Sequence, residues 1–208
     1  MAPYAYDEHG RRVMAPSKGE QREKAILDQA ERQLVEAGPD GMTVESIANA
    51  AGITRGALYF YFRSKNDVLA ALVQRIVVEL TGAVASREKA VPGQPRDALM
   101  SAIELTEDLW SRHGAVMRAA VDLSPSVPVI AELWNGARNE IAESVRLIAV
   151  HGGAPDGTGP DGAATLSRIL VGATERAFYE ASVRGAPLSD VARALETVWT
   201  RTLRLDIE

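Results

Sequence analysis

The stretch "TVESIANAAGITRGALYFYFRSK" (Thr43–Lys65) decides the fold. Its first half places Val44, Ile47, Ala48 and Ala51 at positions i, i+3, i+4 and i+7, one apolar face of a short helix. Gly52 breaks that pattern and supplies a tight turn. Thr54 is a residue type that caps helix N-termini, so "TRGALYFYF" reads as the next short helix. Ala48 and Ala51 are small enough to let two helices approach, and Ile53 is placed to plug the angle between them. Two short helices joined by "AGI" are a helix-turn-helix candidate.

The aromatic residues sharpen this expectation. The chain holds eleven Phe, Trp and Tyr, and four of them, Tyr59 to Phe62, are consecutive. No helix hides four consecutive aromatics on one face. Leu58 and Phe62 lie four apart and share a face, expected to pack inward on Ile47 and Ile53. Tyr59, Phe60 and Tyr61 fan around the other sides. The second helix of a helix-turn-helix enters the DNA major groove with its first residues at the base edges. Arg55 is then the natural base reader, bidentate to guanine. Gly56 and Ala57 lack bulk and let the backbone approach the groove. The hydroxyls of Tyr59 and Tyr61 suit phosphate oxygens. Phe60 suits either a thymine methyl or packing against the first helix. Lys65, opening the following helix, suits a phosphate.

The charge distribution agrees with such an end. The net charge is −5, which argues against a generally basic nucleic-acid binder. Residues 1–75 nevertheless carry ten Lys/Arg and ten Asp/Glu, so the whole deficit lies in residues 76–208. Within Gly52–Arg75, Arg55, Arg63, Lys65 and Arg75 face Asp67 alone.

Working outward, residues 1–16 are polar and aperiodic and read as a disordered tail. Ser17 and Glu20 have capping-box spacing and open a helix whose stripe is Ala25, Ile26, Gln29, Ala30, Gln33 and Leu34. "AGPDG" (Ala37–Gly41) ends it. Ser64 caps a long helix to about Lys89, with Val68, Leu72, Ile76 and Leu80 on its apolar side. "VPGQPRD" (Val91–Asp97) reads as a linker. Further helices are expected at about 96–112, 115–123, 127–150, 161–184 and 188–205, separated by "HG", "SPSVP", "HGGAPDGTGPDG" and "GAP". No alternating strand pattern of useful length occurs. The expected class is all-α, with about nine helices: a disordered tail at 1–16, a helix-turn-helix domain at 17–64 and a second helical domain at 65–208.

Several function classes are disfavoured. The absence of cysteine removes thiolate chemistry and disulfides and fits a reducing, cytoplasmic location. The first twenty residues lack an apolar core segment, so no signal peptide is expected, and no apolar run is long enough to span a membrane. His9, His113 and His151 are scattered without ligand spacing, so no metal or other cofactor is expected. The cluster Glu104, Glu107 and Asp108 reads as a solvated helix face. Glu175 beside Arg176 reads as an ion pair on one helix, with either residue a possible ligand contact. A helical-bundle enzyme is the alternative reading, but no nucleophile, metal or cofactor constellation supports it. Another alternative keeps the DNA-binding helices and gives the second domain no working ligand site.

The 27 residues Thr43–Leu69 closely resemble the signature of the TetR family of bacterial transcriptional regulators, T-x-x-x-I-A-x-x-A-G followed by an apolar residue, Ser or Thr, and later Y-x-(Y/H)-F-x-(S/N)-K. The resemblance implies an all-α homodimer with an N-terminal DNA-binding domain. The larger C-terminal domain would bind a small hydrophobic effector and dimerise through its last two helices. The function implied is release of a palindromic operator, most often by a repressor. DNA contacts carried over fall on Thr43, Thr54, Arg55, Gly56, Ala57, Tyr59, Phe60, Tyr61 and Lys65. The segments "AVMRAAVDLSPSVPVIAELWNGARNEIAE" and "ATERAFYEA" are more loosely similar to the ligand-binding domain of a mycobacterial repressor of that family. That likeness implies effector contacts at Trp110, Met117, Trp134, Ile141, Thr174, Phe178, Tyr179 and Trp199. The apolar stripes Leu166, Ile169, Leu170, Ala173, Ala177 and Leu188, Val191, Ala192, Leu195, Val198 are the expected dimer seam.

Overall fold

The computed structural model of the chain describes residues 4–6, 12–14, 17–90 and 95–205. The chain forms two compact units, Met1–Val68 and Leu69–Glu208.

The first unit holds α1 (Lys18–Gly41), α2 (Val44–Ala50), α3 (Arg55–Tyr61) and the first turn of α4 (Lys65–Ala90). Each start is built by a side chain. Ser17 and Glu20 form a reciprocal capping box, the Ser17 amide donating to Glu20 Oε2 at 2.6 Å. Thr43 and Ser46 repeat the device at α2, Thr54 Oγ1 accepts from the Ala57 amide at α3, and Ser64 Oγ accepts from the Asp67 amide at α4. Each cap satisfies an orphan amide and contributes about 1 kcal/mol. Ile26, Leu27, Ala30 and Leu34 of α1 are buried with Ile47, Ala48, Leu58 and Phe62. The buried stripe of α1 differs from the expected one: Ala25 is exposed and Leu27 takes its place. A polar clip joins α1 to α2: Gln33 Nε2 donates to the Ser46 carbonyl at 2.8 Å, and Ser46 Oγ to Gln33 Oε1 at 2.9 Å.

The turn between α2 and α3 is a Schellman motif. The Gly52 amide donates to Asn49 O at 3.1 Å and the Ile53 amide to Ala48 O at 3.0 Å, closing the carbonyls that α2 leaves open. This needs a left-handed residue, and Gly52 supplies φ +65°. The same device ends α6 (Pro128–His151), where the Ala154 amide reaches Ala149 O.

The second unit contains the rest of α4, α5 (Pro95–Leu123), α6, α7 (Ala163–Arg184) and α8 (Leu188–Thr202). α6 packs on α5 and α7, and α8 closes on α5 and α7. Pro128 occupies the first position of α6, where its missing N–H costs nothing, and Gly185 ends α7 in the left-handed region. Val68, Leu72, Ile76 and Leu80 are all buried along α4.

Three expectations change. The described residues form eight helices instead of about nine, because 96–112 and 115–123 are one helix bent at His113 (φ −124°, ψ 24°). Gly114 tolerates the helix, so "HG" kinks α5 without ending it. Within the segment expected as a disordered tail, β1 (Tyr4–Tyr6) pairs antiparallel with β2 (Arg12–Met14), Ala5 opposite Val13. Tyr and Val favour this pleated state despite the absence of alternation. Of the expected linker, 91–94 lie outside the described residues, and Pro95 onward already belongs to α5.

Gly52→Ala tests the turn. Open space surrounds the glycine, so the cost is conformational. We expect about 1 kcal/mol lost in urea unfolding, and less for Gly52→Asn, because Asn tolerates the left-handed region better.

Candidate nucleic-acid interface and interior cavity

The capped turn gives α3 two unlike sides. Leu58 is fully buried and Phe62 nearly so. Arg55, Gly56, Ala57, Tyr59 and Phe60 are exposed, Phe60 to 85%. Phe60 and Tyr59 are adjacent exposed aromatics on a helix of seven residues. Phe60 packs edge-on against the half-buried Tyr61, with ring centroids 5.3 Å apart, and not into the core. Arg55 is held above Tyr59: its Nη2 and Nε donate to Tyr59 Oη at 3.0 and 3.3 Å, and the guanidinium carbon lies 5.4 Å from the ring centroid. That hydrogen bond moves the guanidinium pKa further up. Tyr59 thus aims Arg55 while keeping its own hydroxyl proton for another acceptor.

Thr43 and Thr54 are exposed, and both hydroxyls accept cap bonds that leave the O–H free to donate. Asp67, the acid of this segment, caps the start of α4 by accepting from the Arg63 amide and Ser64 Oγ. Lys65 departs from a purely outward role. It is half-buried, and Nζ donates to the Pro39 carbonyl at 2.9 Å, tying α4 to the end of α1. Two of its three donors remain.

The second unit contains a cavity of about 60 Å3 that opens towards solvent, with walls from α4 to α8. Six of the eight expected contacts line it: Trp110, Met117, Trp134, Ile141, Thr174 and Trp199. Phe178 and Tyr179 do not. Phe178 is fully buried behind the wall, stacked on Trp110 with centroids 6.3 Å apart. Tyr179 turns away, and its hydroxyl donates to Asp122 Oδ1 at 2.6 Å, a bond that pushes the phenol pKa up. Phe178 lies one turn after Thr174 and shares its face, but Trp110 stands between it and the opening, whereas Tyr179, five residues after Thr174, is rotated further round the helix.

Two indoles have their N–H groups satisfied: Trp199 Nε1 donates to Thr174 Oγ1 at 3.0 Å and Trp134 Nε1 to Glu175 Oε2 at 2.7 Å. Glu175 pairs with Arg138, Nε to Oε2 at 3.4 Å, and not with Arg176, which bonds Glu180 instead. Arg138 is the lining residue that sequence spacing missed, together with Leu99, Ile103 and Val145. Its position four after Trp134 on the same helix is the available signal. Among the described residues no cluster of three His, Cys, Asp or Glu is placed to hold a metal, and no helix is long and apolar enough to cross a membrane.

A short helix presented on a capped turn, with an aromatic and a guanidinium facing out, defines a helix-turn-helix DNA-binding protein. A sequence model of the family "Bacterial regulatory proteins, tetR family" matches residues 26–72. The chain is 30% identical to the HTH-type transcriptional regulator EthR of Mycolicibacterium smegmatis, over 93% of this chain and 91% of that one. It belongs to the TetR family of transcriptional regulators, and is a regulator and not an enzyme. Two solved structures share the fold. The fatty acid degradation regulator FadR from Bacillus halodurans has a TM-score of 0.74 at 18% identity, covering 88% of this chain and 96% of that one. SmeT of Stenotrophomonas maltophilia, in a complex with triclosan, has a TM-score of 0.71 at 21% identity, covering 87% and 90%.

Trp134→Phe keeps the ring in the wall and removes the donor to Glu175. We expect about 1–2 kcal/mol less stability in the unfolding of the second unit, followed by circular dichroism.

Proposed function

We propose that the chain is a ligand-responsive repressor, released from a palindromic operator by a small, largely apolar effector. The observation that carries this reading is the pairing of an outward aromatic–guanidinium face on α3 with a tryptophan-walled cavity in the same chain. Thr43, Thr54, Arg55, Gly56, Ala57, Tyr59, Phe60, Tyr61 and Lys65 meet DNA. Arg55 reads a base, and the hydroxyls and Lys65 hold phosphates. Two copies in a dimer place their α3 helices in major grooves about 34 Å apart, or a multiple of that spacing.

Trp110, Met117, Trp134, Ile141, Thr174 and Trp199 surround the effector. The complex of the similarly folded SmeT with triclosan supports a small-molecule guest in such a fold. The effector acts only through a difference in its affinity for the DNA-binding and the released arrangements. α4 is the covalent lever, since it supplies Lys65 to the first unit and Leu80 to the cavity wall.

The dimer seam is the outer side of α7 and α8. Leu170, Ala192 and Leu195 are already buried inside the monomer, while Ile169, Ala173 and Val198 remain exposed. Those exposed residues are what a second copy would cover. Ile169→Asp with Val198→Asp is expected to yield monomers in analytical ultracentrifugation; a dimer that persists removes this seam.

Arg55→Ala gives the operator test. Specific affinity in a gel shift should fall by about 10- to 100-fold, equivalent to about 1–3 kcal/mol. Thermal stability should hold, because Arg55 is exposed. Unchanged affinity would refute the assignment of α3.

A further inference from the structure

The cavity wall is apolar except at one place. Thr106 Oγ1 donates to the Ala102 carbonyl at 2.8 Å, and Thr174 and Trp199 bond each other, so these polar groups are already partnered. Arg138 and Glu175 stand apart. Both contacts to Glu175 fall on Oε2, from Trp134 Nε1 and Arg138 Nε, which leaves Oε1 as a spare acceptor. The contact to Arg138 uses Nε, which leaves the two Nη groups as spare donors. The side chains are 42% and 18% exposed, respectively, so the pair sits partly out of water on the lining of the cavity.

Four head groups are conceivable for an occupant, and charge decides among them. The pair is neutral. A carboxylate would satisfy Arg138 but set a second negative charge beside Glu175. An ammonium would satisfy Glu175 and repel Arg138. A plain hydrocarbon would strip water from both and return no hydrogen bond, at a cost larger than its packing gain there. A neutral group that offers a carbonyl and an N–H side by side matches donor to acceptor and acceptor to donor without adding charge.

We propose that the effector is a neutral, carboxamide-type molecule on an apolar body, its carbonyl bound by the Arg138 Nη groups and its N–H by Glu175 Oε1. This rests on the cavity being the effector site, and it adds the chemical class of the guest. Arg138 and Glu175 are then specificity-determining residues, and the tryptophans supply affinity without selecting the head group.

The test compares decanamide, decanoate and decylamine, which share one chain length and differ in the head, by tryptophan fluorescence titration of the full-length protein. The wild-type chain should bind decanamide about tenfold more tightly than either charged probe, the value of roughly one well-placed hydrogen-bond pair over a mismatch. In the double variant Arg138→Met, Glu175→Met the affinity for decanamide should fall about tenfold, because its carbonyl and N–H lose both partners. Arg138→Lys, which keeps the charge and loses the planar fork, is the second variant and should reduce the preference to about threefold. Decanoate or decylamine binding as tightly as decanamide to the wild-type chain, or a decanamide affinity unchanged in both variants, overturns the head-group assignment while leaving the cavity as effector site. Failure of all three probes to bind overturns the effector-site reading as well.

Discussion

A single left-handed residue between α2 and α3 governs the DNA-binding unit. Gly52 turns the chain so that the Ile53 amide returns to Ala48 O while Thr54 is free to cap α3. The two bonds close one helix and open the next within three residues. That economy fixes the rotation of α3 about its axis, so Leu58 and Phe62 fall inward and Arg55, Tyr59 and Phe60 outward. A rotation of one residue would bury the guanidinium and expose Leu58. The Gln33–Ser46 clip adds a directional constraint from α1, because a hydrogen-bonded pair resists sliding in a way that apolar contact does not. The outward face of α3 is therefore a consequence of capping and turn chemistry.

The second unit solves a different problem. Five helices converge on three tryptophans, and a wall that hydrophobic leaves few polar anchors. α7 supplies two adjacent ones, Thr174 and Glu175, and each accepts from the indole of a tryptophan on another helix. These bonds hold the rings of α6 and α8 in orientation without filling the space between them. Trp110 is held instead by stacking on Phe178. A cavity persists where the ring edges are tied back to α7, and Arg138 brings the one spare fork of donors to its lining.

Much of this organisation is legible in local sequence. Ser17, Thr43, Thr54 and Ser64 announce helix starts because capping depends on two or three neighbouring residues, and Gly52 announces its turn because few residues adopt positive φ. Counting faces around four consecutive aromatics leaves Phe60 open between outward exposure and packing on α1, and the fold leaves it exposed. Other features depend on residues far apart in the chain. Glu175 has Arg176 beside it but pairs with Arg138, a partner 37 positions away that no helical spacing reveals. Phe178 and Tyr179 carry the composition of a cavity wall yet do not line it: Phe178 is covered by the Trp110 ring on which it stacks, and Tyr179 is drawn off by its bond to Asp122 on α5. Ala25 and Leu27 both fit a helical stripe, and packing on the other helices selects Leu27. "HG" breaks the hydrophobic rhythm, but the surrounding bundle carries α5 through it as a bend at His113.

The central claim is that the outward side of α3 selects a DNA sequence, and selection of bound duplexes from a random pool tests it most directly. The account predicts enrichment of an inverted repeat whose half-site centres lie about 34 Å apart or a multiple of that. With Arg55→Ala, one base position in each half-site should lose its preference while the spacing is kept. No enriched repeat with the wild-type chain, or an unchanged consensus after the substitution, would contradict it.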